Sequence, residues 1–130
     1  IPGTREKSEF HNEKAIFFSP YNYKYLKNKA VLRIERGDFE NGLNFFEKAI
    51  RLAPYISSTY EHYIQTCISI ADFYLSQSKK ETAITYLEKG LQIDEVNNHF
   101  MKKSIKPMQK STSYNEILQK VKTRLQEIME

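Results

Sequence analysis

Cysteine is nearly absent from this chain, tryptophan wholly so, and glycine and proline number only four each in 130 residues. One cysteine cannot close an internal disulfide, which excludes a bridge-stapled fold and any zinc cluster built on several thiolates. Scarce glycine and proline exclude a turn-rich sandwich and leave helices as the favoured element. The uncharged apolar runs fall far short of the roughly 20 residues that a membrane helix needs. No apolar h-region follows the start, so nothing reads as a secretory signal. Catalytic and phosphate-binding signatures are missing too: there is no HExxH, GxxxxGK[ST] or GxGxxG.

What is present is core material. Nine tyrosines, eight phenylalanines and many Ile and Leu can close a single domain, which at this length buries roughly two-thirds of its unfolded surface. The net charge of +4 permits an acidic partner without demanding one. The chain opens Ile-Pro-Gly without an initiator Met and is read as a piece of something longer.

Self-alignment uncovers a repeat. Glu13-Lys14-Ala15-Ile16 followed by Pro20-Tyr21 recurs as Glu47-Lys48-Ala49-Ile50 followed by Pro54-Tyr55, a shift of 34 positions. Between them Gly37-Asp38-Phe39 makes a turn feeding an apolar stripe, and a diluted copy follows at Ala83–Asp94. Lys24 to Arg36 and Glu40 to Leu52 carry apolar residues three and four apart, as amphipathic helices require. Ala30, Gly42 and Ala49 are small enough to let two backbones approach. Asp38 is the expected cap of the second helix, and Pro54 sits just past its end.

The unit resembles the tetratricopeptide repeat, a 34-residue helix–turn–helix. Leu26 and Ala30 fit its first helix, Gly37, Asp38 and Phe39 its turn, Gly42 and Phe46 its second helix, and Ala49 and Pro54 its close. Lys29 and Arg33 depart, where an apolar residue and an aromatic are usual. The resemblance implies an all-α fold of helical hairpins stacked as a short right-handed solenoid, one domain over 1–130. Its parts are the second helix of a partial repeat at 4–18, a repeat at 23–54, and one with a lengthened first helix at 57–95. A degenerate repeat with a C-terminal capping helix completes it at 98–130.

In the lengthened copy Gly90 follows Ala49 by 41 residues, seven more than the period. Seven residues are close to two helical turns, so they can be absorbed without rotating a helix face. Tyr60, Tyr63, Ile64, Cys67, Ile70, Ala71 and Tyr74 keep helical spacing throughout, which predicts one long helix over about 58–77, with an insertion in a loop as the competing account. Ser58-x-x-Glu61 and Ser113-x-x-Glu116 read as capping boxes for this helix and the last one. Pro107 should end or kink a helix starting near 98. Tyr114, Ile117, Leu118, Val121, Leu125 and Ile128 line one side of the last helix.

The scattered His11, His62 and His99 make no ligand pair, and Cys67 lies on an apolar stripe as a small hydrophobe. The chain is therefore read as a non-enzyme with no catalytic residue, cofactor or metal. Its resemblance implies an interaction module, a scaffold or adaptor that holds a peptide or helical segment of another protein in a concave groove. Mapped onto this sequence, the groove positions are Lys24, Lys27, Asn28, Val31, Gln65, Ser69, Asp72, Ser76, His99, Lys102, Lys103 and Lys106. Asp72 alone among them is acidic, so an acidic partner suits the set. The subclass that clamps chaperone tails is disfavoured, because Val31 and Ser69 stand where its asparagines belong. The alternative function is the peptide-sensing domain of a bacterial transcription regulator. Nucleic acid is disfavoured, since the aromatics serve apolar stripes rather than a basic track. A membrane is not expected as a partner, an exposed N-terminal flank offers a route to self-association, and cytoplasm is the default for a free thiol without a targeting signal.

Overall fold

Asn22 opens the first helix by accepting a hydrogen bond on its side-chain oxygen from the Lys24 backbone N–H at 3.0 Å. The computed structural model describes residues 22–103 and 110–130. Among them the regular elements are five α-helices: α1 (Tyr23–Glu35), α2 (Phe39–Leu52), α3 (Ser57–Ser76), α4 (Lys80–Lys102) and α5 (Thr112–Met129). The all-α expectation is met. The partial repeat at 4–18 and the kink at Pro107 lie outside the described residues. The chain divides into two compact units, one ending at Thr59 and the other beginning at Tyr60.

In the first unit α1 and α2 form a hairpin, and the helices approach closely at Gly42. A Cβ there would overlap the Ile34 side chain, with Cγ1 at 2.7 Å, and would press on the Ala30 carbonyl oxygen at 3.1 Å. Leu26, Ala30, Leu43, Phe46, Ala49 and Ile50 are buried. The turn between the helices is a Schellman closure: Gly37 N–H donates to Ile34 C=O at 2.9 Å and Asp38 N–H to Arg33 C=O at 3.0 Å. Gly37 takes a φ of 85°, the left-handed conformation that this closure needs. Asp38 does not cap α2 with its side chain. Its carboxylate accepts from Asn41 Nδ2 at 3.0 Å and lies 3.9 Å from the Arg33 guanidinium. Helix α2 stops at Leu52, two residues before Pro54.

The long helix is one piece, 20 residues from Ser57 to Ser76, and from Tyr60 onward it belongs to the second unit. The side chains of Tyr60, Tyr63, Ile64, Cys67, Ile70 and Ala71 are buried along it, as their spacing predicts. The turn to α4 repeats the Schellman closure, with Ser78 N–H bonded to Leu75 C=O at 3.0 Å and Lys79 N–H to Tyr74 C=O at 2.9 Å. Here a serine takes the positive φ, at 61°.

Two sequence readings are corrected in this unit. Helix α4 runs unbroken for 23 residues to Lys102, so 98–102 are its last turns and not the start of another hairpin. No glycine or proline follows Gly90 before Pro107, and Ile93, Asp94 and Asn97 continue the buried face of α4. The capping boxes also dissolve. Ser111, not Ser113, caps α5, accepting from Tyr114 N–H at 3.1 Å. Ser113 Oγ instead donates to Glu61 Oε1 at 2.6 Å, which takes Glu61 away from the start of α3.

That bond has a companion: Arg124 Nε donates to Asp72 Oδ1 at 3.0 Å. Both pairs join residues 52 apart, one near the start of α3 and α5 and one eleven residues further along each. The two helices therefore run in the same direction, side by side. Val121 of α5 also faces Gly90, at 3.8 Å from where a Cβ would stand. Helix α5 thus lies along α3 as a first helix of a following hairpin would.

Candidate functional site

Helix α1 places Lys24 and Asn28 on its exposed face, one turn apart, with Lys27 and Val31 half-buried beside them. No acid occupies the first turn of α1, and Lys24, Lys27 and Lys29 stand in its first two turns, where the helix dipole is itself positive. Burial pushes the Lys27 ammonium below its usual pKa, because desolvation disfavours the charged form. Lys29, the departure from the expected apolar residue, lays its ammonium 5.1 Å from the centre of the Phe45 ring, and Lys48 lies 5.2 Å from the same ring.

In the second unit Gln65, Ser69, Asp72 and Ser76 form one exposed stripe along α3, at spacings of four, three and four. Asp72 is not a free carboxylate. The Arg124 guanidinium holds it, and this pairing raises the Arg124 pKa through the hydrogen bond first and the opposite charge second.

His99, Lys102 and Lys103 are exposed, but they lie at the end of α4, a second helix, and not on a third groove-forming helix. Lys106 lies outside the described residues. Lys110, a few residues further on, is structural. Its ammonium bonds Asp94 Oδ1 at 2.8 Å and lies 5.3 Å from the centre of the Tyr114 ring. The Tyr114 hydroxyl donates to the same Asp94 oxygen at 2.8 Å. Burial, with the Asp94 charge behind it, raises the Tyr114 pKa well above the usual phenol value. This buried clasp fixes the start of α5 against α4 and consumes the charge of Lys110.

Sequence reasoning missed Arg124 and Ser113 as partners of α3. The only sequence signal is that both pairs share a separation of 52, which becomes visible once the helices are known to lie side by side. Among the described residues no group of three His, Cys, Asp or Glu is placed to hold a metal ion. No helix among them is long and apolar enough to cross a membrane.

Two helical hairpins closed by the same left-handed turn, with small residues where their helices meet, define a helical-repeat protein. The tetratricopeptide repeat model matches residues 23–55 and 64–97, just over half of the chain, and the chain belongs to that family. The two matches start 41 residues apart. The second begins at Ile64, seven residues into α3, so the extra two turns are the N-terminal stretch from Ser57. Repeats of this family generally serve as protein–protein interaction modules, and the family is a non-enzymatic scaffold.

Proposed function

We propose that this chain binds an acidic peptide or helical segment of another protein through the exposed face of α1. The observation that carries the reading is the set on α1. Lys24 and Lys27 have no ion-pair partner among the described residues, Lys27 is partly desolvated, and Asn28 adds a neutral donor and acceptor one turn beyond Lys24. A partner carboxylate would restore the stabilisation that Lys27 loses on burial, and charge-assisted bonds in a partly dry setting exceed those of a fully solvated pair.

The test uses the whole chain and a fluorescent glutamate-rich nonapeptide, read by anisotropy at low ionic strength. Wild type should bind it. A folded Lys24→Glu/Lys27→Glu variant should lose about tenfold or more in affinity, and added salt should weaken the wild-type complex. Equal binding by the variant, with the melting curve unchanged, would remove α1 from the site. His99, Lys102 and Lys103 are a separate arm: reversal of the two lysines should cost far less than reversal on α1.

A further inference from the structure

Helix α4 carries an exposed face whose carboxylates have no partner in the fold. Glu81, Glu88 and Glu95 stand on it at intervals of seven, all three exposed. No Lys or Arg lies three or four residues from any of them, so none gains the ion pair that neighbouring turns of a helix offer. None has an ion-pair partner elsewhere among the described residues. Glu81, in the first turn, suits the positive end of the helix dipole. That effect falls off within a turn, so it does not account for Glu88 or Glu95. Between the glutamates Ile84 and Leu91 are half-buried, again seven apart. Carboxylate and aliphatic side chains thus alternate at steps of three and four along one strip of the helix.

We propose that this strip is a docking surface for a basic amphipathic helix of another protein, with Lys or Arg at intervals of seven and aliphatic residues between them. Spacing selects the kind of partner. Successive glutamates are about 10 Å apart along the axis, too far to share one metal ion. A second helix alongside α4 turns nearly the same face to each of them, because seven residues are close to two turns. An extended segment, at about 3.3 Å per residue, would meet them at every third residue and so with alternating faces. Ile84 and Leu91 offer the partner apolar surface to bury, while the glutamates fix its sign and register. The strip also has a direction: the next position of the series is Lys102, so the basic character of the partner should stop there. This surface lies wholly on the second unit and is independent of the acidic segment proposed for α1.

The test uses the whole chain and two fluorescent peptides, each three heptads long and identical in composition, read by anisotropy at low ionic strength. One carries lysine at intervals of seven with leucine between; the other has the same residues in scrambled order. Wild type should bind the spaced peptide about fivefold or more tighter than the scrambled one. A folded Glu88→Gln/Glu95→Gln variant should bind the spaced peptide about three- to tenfold more weakly, since each exposed ion pair is worth up to about fivefold. Glu40→Gln/Glu116→Gln, on the exposed sides of α2 and α5, makes the same change of net charge and should leave the affinity within about twofold. Equal binding of the two peptides, or an equal loss in both variants, would mean that only the overall field acts, and overturns the proposal. So does a wild-type chain that binds neither peptide. A wild-type dimer in sedimentation that Glu88→Gln/Glu95→Gln dissolves would make a second copy of the chain the occupant, which also overturns it.

Discussion

The two repeats share a frame and differ in how they are finished. Offset by 41 residues, the closing turn of the first hairpin reappears atom for atom in the second, with Ser78 in the place of Gly37 and Lys79 in that of Asp38. The charged departures of the first repeat have apolar or aromatic counterparts in the second. Ile70 stands at the position of Lys29, and Tyr74, stacked on Tyr86 with ring centres 5.6 Å apart, stands at that of Arg33. Where the first repeat has Pro54, the second has Glu95, and the helix runs on for seven more residues. A repeat is thus specified by its turn and its small residues, while its length is set by whether a proline stops it.

The contrast can be broken most severely at Ala49, which is fully buried in the first repeat. Ala49→Arg would force a charge between packed helices and should cost more than about 4 kcal/mol, unfolding the first unit. A melting temperature equal to wild type would reject the packing described. Next in size is Glu95→Pro, which imports the missing stop. It removes a backbone donor inside α4 and should cost about 3 kcal/mol, with loss of helical ellipticity beyond residue 95. An unchanged spectrum and stability would mean that α4 is not continuous there.

A subtler pair should move in opposite directions. Gly42→Ala must displace the Ile34 side chain and press on the Ala30 carbonyl, and should cost about 1–3 kcal/mol. Gly90→Ala would place its methyl at 3.7 Å from Cys67 Cβ and Ile64 Cγ2, an ordinary contact, and should gain up to about 1 kcal/mol from helix propensity. Denaturant melts of the two variants check both signs, and a common sign would contradict the difference in helix approach. Smallest is the turn. Gly37→Ala should cost about 1 kcal/mol, with no side chain within 4 Å to blame, whereas Ser78→Gly should be neutral or slightly stabilising.

Much of this was legible before the structure. The helices of the first repeat fall within a residue of their expected bounds because Gly37 and Pro54 punctuate them locally. The long helix was legible because its seven added residues preserve the apolar phase of Tyr60, Tyr63 and Ile64. Capping was not. Ser113 and Glu61 each fit a local box, yet they bond to one another, since a pairing across 52 residues leaves no local pattern. The end of α4 was misread for a similar reason. Sequence similarity to a repeat invites a break near 95, but breaking a helix takes a residue that cannot continue it, and Glu95 can. In the candidate site Lys24 and Asn28 are exposed on α1, while the placement of His99, Lys102 and Lys103 depended on a hairpin that α4 does not make.

The direction of α5 decides which of its side chains reach α3. From sequence it closes a third hairpin, which would set it antiparallel to a first helix; in the structure it runs parallel to α3 and brings Arg124 to Asp72. Distances between spin labels decide this in the intact chain, with Cys67→Ala as the background. The pairs Glu61→Cys with Ser113→Cys and Asp72→Cys with Arg124→Cys should both be short, within about 15 Å. The crossed pair Glu61→Cys with Arg124→Cys should be longer, because eleven helical residues add about 16 Å along the axis. A short crossed distance with two long direct ones would place α5 antiparallel, and the pairing of Arg124 with Asp72 would fall with it.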